Sequence, residues 1–230
     1  MDGSVIPGVQ VVRRPLHILF CVDRSKSMDG IRINAINQGI PAALHAVSQS
    51  MKQHPEVEVF VHVLAFGSDL EWILDDVPIG SVQWRDITAK GKTNTGTAIN
   101  ELCDKLSVNN IGDRGYPPVC ILLSDGYHSD SNMIYDQSIE RLNTIPWGRK
   151  AIRLVIGIGN PEDYDEDSLA RFGNQQVKII KVEDCRDLVK YIQWASVAAS
   201  IGATRSRSSA TGDLTNNVEL PMIPKGDDVW

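Results

Sequence analysis

This sequence has no surplus of positive charge, no paired cysteines and no long apolar run. Against 29 Asp and Glu stand 23 Lys and Arg over 230 residues, a net charge of −6. That balance leaves no basic face for phosphates and excludes a general nucleic-acid binder. Cys21, Cys103, Cys120 and Cys185 form no CxxC motif, so neither a structural zinc site nor a disulfide framework is expected. No stretch approaches the length that crosses a membrane. The opening MDGSVIPGVQVVRRP has no basic segment followed by a long apolar one, so no secretion signal is read there. The expectation is a cytoplasmic protein with neither nucleic acid nor membrane as partner. Internal repeats are also missing.

What is present is ordinary globular material, 42% apolar and 23% charged, enough for a sizeable core. Its dominant pattern is strand, helix, strand, helix. Leu16 to Val22 and Val119 to Leu123 are short, continuous apolar runs that read as strands buried on both faces. Val57 to Phe66, Ala151 to Ile158 and Val177 to Val182 read as further strands, and Glu71 to Val77 as a short one at an edge. Ile33 to Met51 carries apolar residues at helical spacing, with Pro41 expected to kink or break it. Thr95 to Leu106, with a Thr/Gly start able to cap it, Asn132 to Ile145, with Asp130 or Ser131 as cap, Asp165 to Phe172 and Glu183 to Ser200 read as helices. Gly173 sits where a helix end favours a left-handed residue. The alternation predicts a doubly wound α/β fold, a mostly parallel sheet with helices on both faces. The division expected is a lead over 1–13, one domain over 14–200 and a small, polar tail over 201–230.

Three loops carry the chemistry. The first strand ends in Asp23-Arg24-Ser25-Lys26-Ser27, a later loop reads Gly91-Lys92-Thr93-Asn94-Thr95-Gly96-Thr97, and another buried strand ends in Ser124-Asp125-Gly126. In a parallel sheet such loops converge at the carboxyl ends of central strands. Their donors are hard oxygens, which suit Mg²⁺, Mn²⁺ or Ca²⁺ and suit zinc poorly. Ser25 and Ser27, two apart in a tight turn, are able to face one ion. Asp23 and Asp125 would act through bound water. The position left open on such an ion prefers an anionic oxygen, a Glu or Asp on a partner.

D-x-S-x-S, then T-N-T-G-T-A, then S-D-G after an apolar strand is similar to the metal-ion-dependent adhesion site of von Willebrand factor A (VWA) domains. The resemblance spans roughly residues 14 to 200. Ile36-Asn37-Gln38-Gly39, with no secretion signal, resembles the bacterial tellurite-resistance-type (TerY-like) group. The resemblance implies a metal site of Asp23, Ser25, Ser27, Thr93 and Asp125, in which the three hydroxyls ligate directly and Mg²⁺ is the leading ion. It implies a binding module without catalysis, in a bacterial stress or defence setting with kinase- and phosphatase-type partners. Many relatives have Gly between the two serines. Here Lys26 stands, a positive charge able to lower ion affinity or to meet an acidic partner. His128 is placed to line the crevice as an exposed loop residue.

Competing motifs fail. Gly91-Lys92-Thr93 lacks the Gly that a phosphate-binding loop needs five residues earlier, where Asp86 stands. Asp163, Asp165 and Asp167 alternate as in a calcium loop, but Ser168 and Asn174 occupy the positions requiring Gly and Glu. His17, His45, His54, His62 and His128 show no metal-type spacing, and His17 and His62, both in strands, are expected to be satisfied locally. A metal-assisted hydrolase acting on a phosphate or acyl substrate is the alternative function, with Ser124 its one candidate nucleophile and no nucleophile elbow in sight. The five tryptophans read as packing residues. Only Trp230, at an acidic end, invites a docking role.

Overall fold

A computed structural model of the chain describes residues 13–158, 165–173, 180–182, 190 and 192. The expected lead apart from Arg13, the first three residues of the strand expected over Val177 to Val182, the tail, Cys185, Trp194, Trp230 and nearly all of the final helix lie outside the described residues, although Lys190 and Ile192 are helical.

Among the described residues, six strands form one sheet in the order β3-β2-β1-β4-β5-β6. They are β1 (Arg14–Asp23), β2 (Val57–Phe66), β3 (Leu70–Pro78), β4 (Val119–Ser124), β5 (Ile152–Ile158) and β6 (Ile180–Val182). All neighbours pair in parallel except β2 and β3. β4 is buried along its whole length and β1 over all but its first two residues, as apolar runs flanked by helices on both faces require. The expected edge strand is present as β3, antiparallel and longer at both ends.

Among the described residues the bounded α-helices are, in chain order, α1 (Ile31–Met51), α2 (Thr95–Lys105), α3 (Val108–Ile111), α4 (Asn132–Thr144), α5 (Pro146–Lys150) and α6 (Glu166–Phe172). α1 covers one face of the sheet. Its apolar stripe, from Ile33 through Ile36, Ile40, Ala43 and Val47 to Met51, packs against Leu16, Ile18, Phe20 and Val22. On the other face lie Leu19, Cys21, Leu64 and Phe66 under Ala98, Ile99 and Leu102 of α2, Tyr135 and Ile139 of α4, and Phe172 of α6.

Three local expectations are corrected. α1 runs unbroken through Pro41: a proline removes one backbone bond, and the stripe buried on both sides of it holds the turn. Gly173 closes α6 with φ −61°, not left-handed. Thr95 does not cap α2. The amide of Thr97 instead donates to Asp130 Oδ2 at 3.0 Å, from the loop ahead of α4, while Ser131 caps α4 itself. Gly96 makes this close approach feasible, because a Cβ there would lie 2.9 Å from the backbone of Tyr135.

Between the pairs Val61↔Val77 and Val63↔Leu74, one residue of β2, His62, faces two of β3, Asp75 and Asp76. This is a β-bulge, and Asp76 adopts φ +55° within it. Among the described residues, no helix is long and apolar enough to cross a membrane.

Candidate metal centre

β1 and β4 are adjacent and their outgoing connections lead to opposite faces, so the ends of these two strands open a crevice at the switch point of the sheet. Asp23 ends β1 and Asp125 follows β4. The loop after β1 is held from two sides. Lys26 N donates to Gly91 O at 3.0 Å, and Arg24 O accepts from Lys90 N at 2.5 Å. The buried Arg24 side chain donates to Glu71 at 2.6 Å, fixing that loop to β3. On the other side of the crevice, Ser129 N donates to Thr93 O at 2.6 Å and Thr93 N to Ser129 Oγ at 3.2 Å. The Thr93 segment is thus laced to both the Asp23 and the Asp125 loops.

Four of the five expected ligands, Asp23, Ser25, Thr93 and Asp125, are buried, with Ser27 exposed at the mouth. Ser25 Oγ and Ser27 Oγ lie 3.0 Å apart. Asp23 is locked in place, its Oδ1 accepting from Ser25 N and its Oδ2 from Ser124 Oγ, both at 2.7 Å. Burial pushes its carboxyl up to about 6. The bonds from Ser25 and Ser124 oppose that rise, and the charge of Asp125 adds to it. A buried carboxylate held this way gains from a cation beside it.

One protein cation already reaches in. Arg32, at the start of α1, donates from Nη1 to Ser27 O at 3.1 Å and lies 3.5 Å from Asp125 Oδ2. A guanidinium nitrogen between these two loops is a stand-in for a positive ion, and the surrounding donors are all oxygens. These residues fit a hard divalent cation.

The sequence reading missed Arg32, and it quoted Asn37 only as part of a family-like segment, without a role at the site. Asn37 of α1 donates to Ile87 O at 2.9 Å and accepts from Ile87 N at 2.8 Å, pinning the segment that leads to Thr93. Ser124, the nucleophile of the hydrolase alternative, is fully buried, donating to Asp23 and accepting from Gly126 N. Its hydroxyl is a brace, out of reach of a substrate. Lys26 is exposed. His128 is not: its side chain is only 13% exposed and stacks on Tyr135 at 4.7 Å between ring centroids. Its neighbours Tyr127 and Ser129 are the exposed residues of this loop.

A second group of ligand-type side chains lies elsewhere. Six residues before Asp23, roughly 20 Å back along β1 at about 3.3 Å per residue, His17 Nδ1 lies 3.0 Å from His62 Nε2. Both rings have a local partner, as expected. With Asp76 they also form a trio whose ligand atoms all lie within 4.8 Å of one another. Sequence spacing gave no hint of this group, because strand register builds it.

The family model for the von Willebrand factor type A domain matches residues 17–194. No curated protein matches the chain. Among solved structures, von Willebrand factor type A from Catenulispora acidiphila is 14% identical with a TM-score of 0.60, over 81% of this chain and 43% of that one. The ArnB paralog VWA2 from Sulfolobus acidocaldarius is 23% identical with a TM-score of 0.53, over 78% and 44%. The pilus adhesin SpaC from Lactobacillus rhamnosus GG, in an open conformation, is 13% identical with a TM-score of 0.59, over 81% and 30%. The chain therefore spans less than half the length of each of these neighbours, and at such identities the likeness is one of fold.

Proposed function

This chain belongs to the von Willebrand factor type A domain family, whose members often mediate protein–protein interaction or adhesion, and on that premise we propose that it is a metal-dependent interaction module. Ser25, Ser27 and Thr93 ligate a divalent cation, Mg²⁺ before Mn²⁺ or Ca²⁺, and Asp23 and Asp125 hold it mainly through water. A Glu or Asp of a partner protein completes the coordination. The observation that carries this reading is the crevice itself: buried hard oxygens from three loops around a position that an arginine nitrogen already approaches.

The rim supports a protein partner. Ile31 is 87% exposed and Tyr127 55%, large side chains close in sequence to Ser27 and Asp125, and Lys26 adds an exposed positive charge in the first loop. Such a mixture suits an acidic side chain flanked by apolar contacts. Lys26 and His128 are the residues we assign to partner binding, with the exposed Lys26 the more accessible of the two.

The setting we propose is the bacterial cytoplasm, in a stress-response or defence system of the tellurite-resistance type, with kinase- or phosphatase-type proteins as partners. In its support, Cys21, Cys103 and Cys120 are free and buried, as suits a reducing compartment.

The test is affinity capture with the wild-type chain and Asp23→Ala, each in Mg²⁺ and in EDTA. A partner held only by the wild type in Mg²⁺ is the expected result. Partners held equally under all four conditions would overturn the proposal.

A further inference from the structure

We propose that His17, His62 and Asp76 form a second cation site, one for a borderline transition ion of the Zn²⁺ class, separate from the hard-oxygen crevice. The geometry is close to what such an ion needs. Two ligands about 2.0–2.1 Å from a tetrahedral zinc lie roughly 3.3 Å from each other. His17 Nδ1 and His62 Nε2 are 3.0 Å apart, and His62 Nε2 and Asp76 Oδ1 are 3.8 Å apart. All three ligand atoms lie within 4.8 Å of one another, and a movement of the exposed Asp76 carboxylate toward the two rings brings them onto one ion.

Three strands supply this trio, and each placement has a cause. Parallel pairing sets Leu19 opposite His62 and His17 opposite Phe60, so the two histidines are diagonal neighbours on one face. The bulge in β3 brings two aspartates against the single residue His62. Bulges re-aim side chains in this way, and an Asp with φ +55° is among the few residue types that tolerate the turn. Imidazole with carboxylate is a donor set for zinc, unlike the hydroxyls of the crevice.

The second carboxylate does the work of an outer partner. His62 Nδ1 lies 3.1 Å from Asp75 Oδ1, the carboxylate–histidine arrangement that orients a metal-bound ring. Lys105 Nζ, 2.5 Å from the same oxygen, holds that carboxylate in place and balances part of its charge. The same Nδ1 also lies 3.1 Å from the Asp76 backbone nitrogen, so each tautomer of His62 has a partner. With its proton on Nε2, the ring donates to His17 and accepts from the Asp76 amide. With its proton on Nδ1, it donates to Asp75 and presents a lone pair to the ion at Nε2. Both imidazoles are buried, an environment that favours the neutral, ligating form of the ring. Three protein ligands leave a fourth position. Asp76, 60% exposed at its side chain, opens that position to water.

Calorimetric titration of the full chain with Zn²⁺, after chelator treatment and in a large excess of Mg²⁺ to fill the crevice, tests the site. The expected result is one Zn²⁺ per wild-type chain, retained by Asp23→Ala. Asp76→Asn, an exposed change at a backbone angle Asn tolerates, is expected to weaken binding at least about tenfold, and Asp75→Asn by about tenfold through the ring it orients. His62→Gln, checked for folding by circular dichroism, should lose the ion. No Zn²⁺ on the wild type, undiminished affinity in Asp76→Asn, or loss of Zn²⁺ in Asp23→Ala would each overturn the proposal. The interaction reading rests on the crevice alone, so failure here leaves it untouched.

Discussion

The crevice at the ends of β1 and β4 and the histidine pair further back on β1 and β2 are two cation-type constellations on one sheet, and they are built in opposite ways. The crevice takes its shape from loops. Asp23, Ser25 and Ser27 sit within five residues, and Thr93 and Asp125 are brought to them by backbone hydrogen bonds between loops. The histidine site takes its shape from strand register and a bulge, with ligands 45 residues apart in His17 and His62. Hard oxygens gather at the first and imidazoles at the second, so the two should sort ions by softness. A loop-built site is also the more dependent on what braces its loops, and this is where the two separate experimentally.

The largest difference expected is in thermal stability. An ion bound to the folded state alone stabilises by mass action, about 2.7 kcal/mol at a hundred times its Kd. For a domain of this size that is a rise in Tm of roughly 5–10 °C. Mg²⁺ should produce it in the wild type and in Asp76→Asn, and not in Asp23→Ala. Differential scanning calorimetry in Mg²⁺ against EDTA reads it, and equal shifts in all three chains would place the stabilising ion at neither site.

Next comes the bracing of the crevice. Asn37→Ala removes both hydrogen bonds to Ile87 and leaves partly buried backbone groups unpaired, a loss of about 2 kcal/mol. Because that segment leads to Thr93, Mg²⁺ affinity should fall with stability while Zn²⁺ affinity stays. Chemical denaturation and titration with each ion separate the two. A parallel fall in both affinities would mean that the effect is general loosening.

The smallest effect concerns Asp165, whose backbone nitrogen donates to Asp125 O at 3.0 Å. Asp165 caps α6, its Oδ1 accepting from Ser168 N and its Oδ2 from Ser168 Oγ. Asp165→Ala should cost about 1 kcal/mol. Burial alone would raise this carboxyl, but the two bonds from Ser168, together with the nearby His128 and a backbone bond from Asp167, make the net shift downward. The folded value thus lies below the unfolded one. Its contribution is present above the unfolded value of about 3.9 and is lost as pH falls through the folded value. The stability gap between wild type and Asp165→Ala should accordingly narrow in acid, as denaturation at a series of pH values will read. A gap that widens below pH 4 would contradict the cap.

Much of this architecture could be read along the chain. The apolar run Leu16 to Val22 and the stripe of α1 are buried as their periodicity implies, and the edge strand, the Ser131 cap and the clustering of Asp23 with Ser25 followed from local chemistry. The misreadings share a cause. Thr95 had the composition of a cap, but Asp130 arrives from another loop and takes the Thr97 amide. His128 had the position of an exposed loop residue, but Tyr135 offers its ring a face to stack on. Ser124 resembled a nucleophile until its hydroxyl was seen bonded to Asp23.

Sequence alone determined the order of elements, the two-faced core and the hard-oxygen motif, because apolar period and short-range spacing are properties of neighbouring residues. Tertiary structure decided which distant groups meet: Arg32 at Asp125, Asn37 on Ile87, His17 beside His62 with Asp76 across the bulge. Strand register and the closeness of two helices are set by packing over the whole sheet, and no local stretch of chain carries that information.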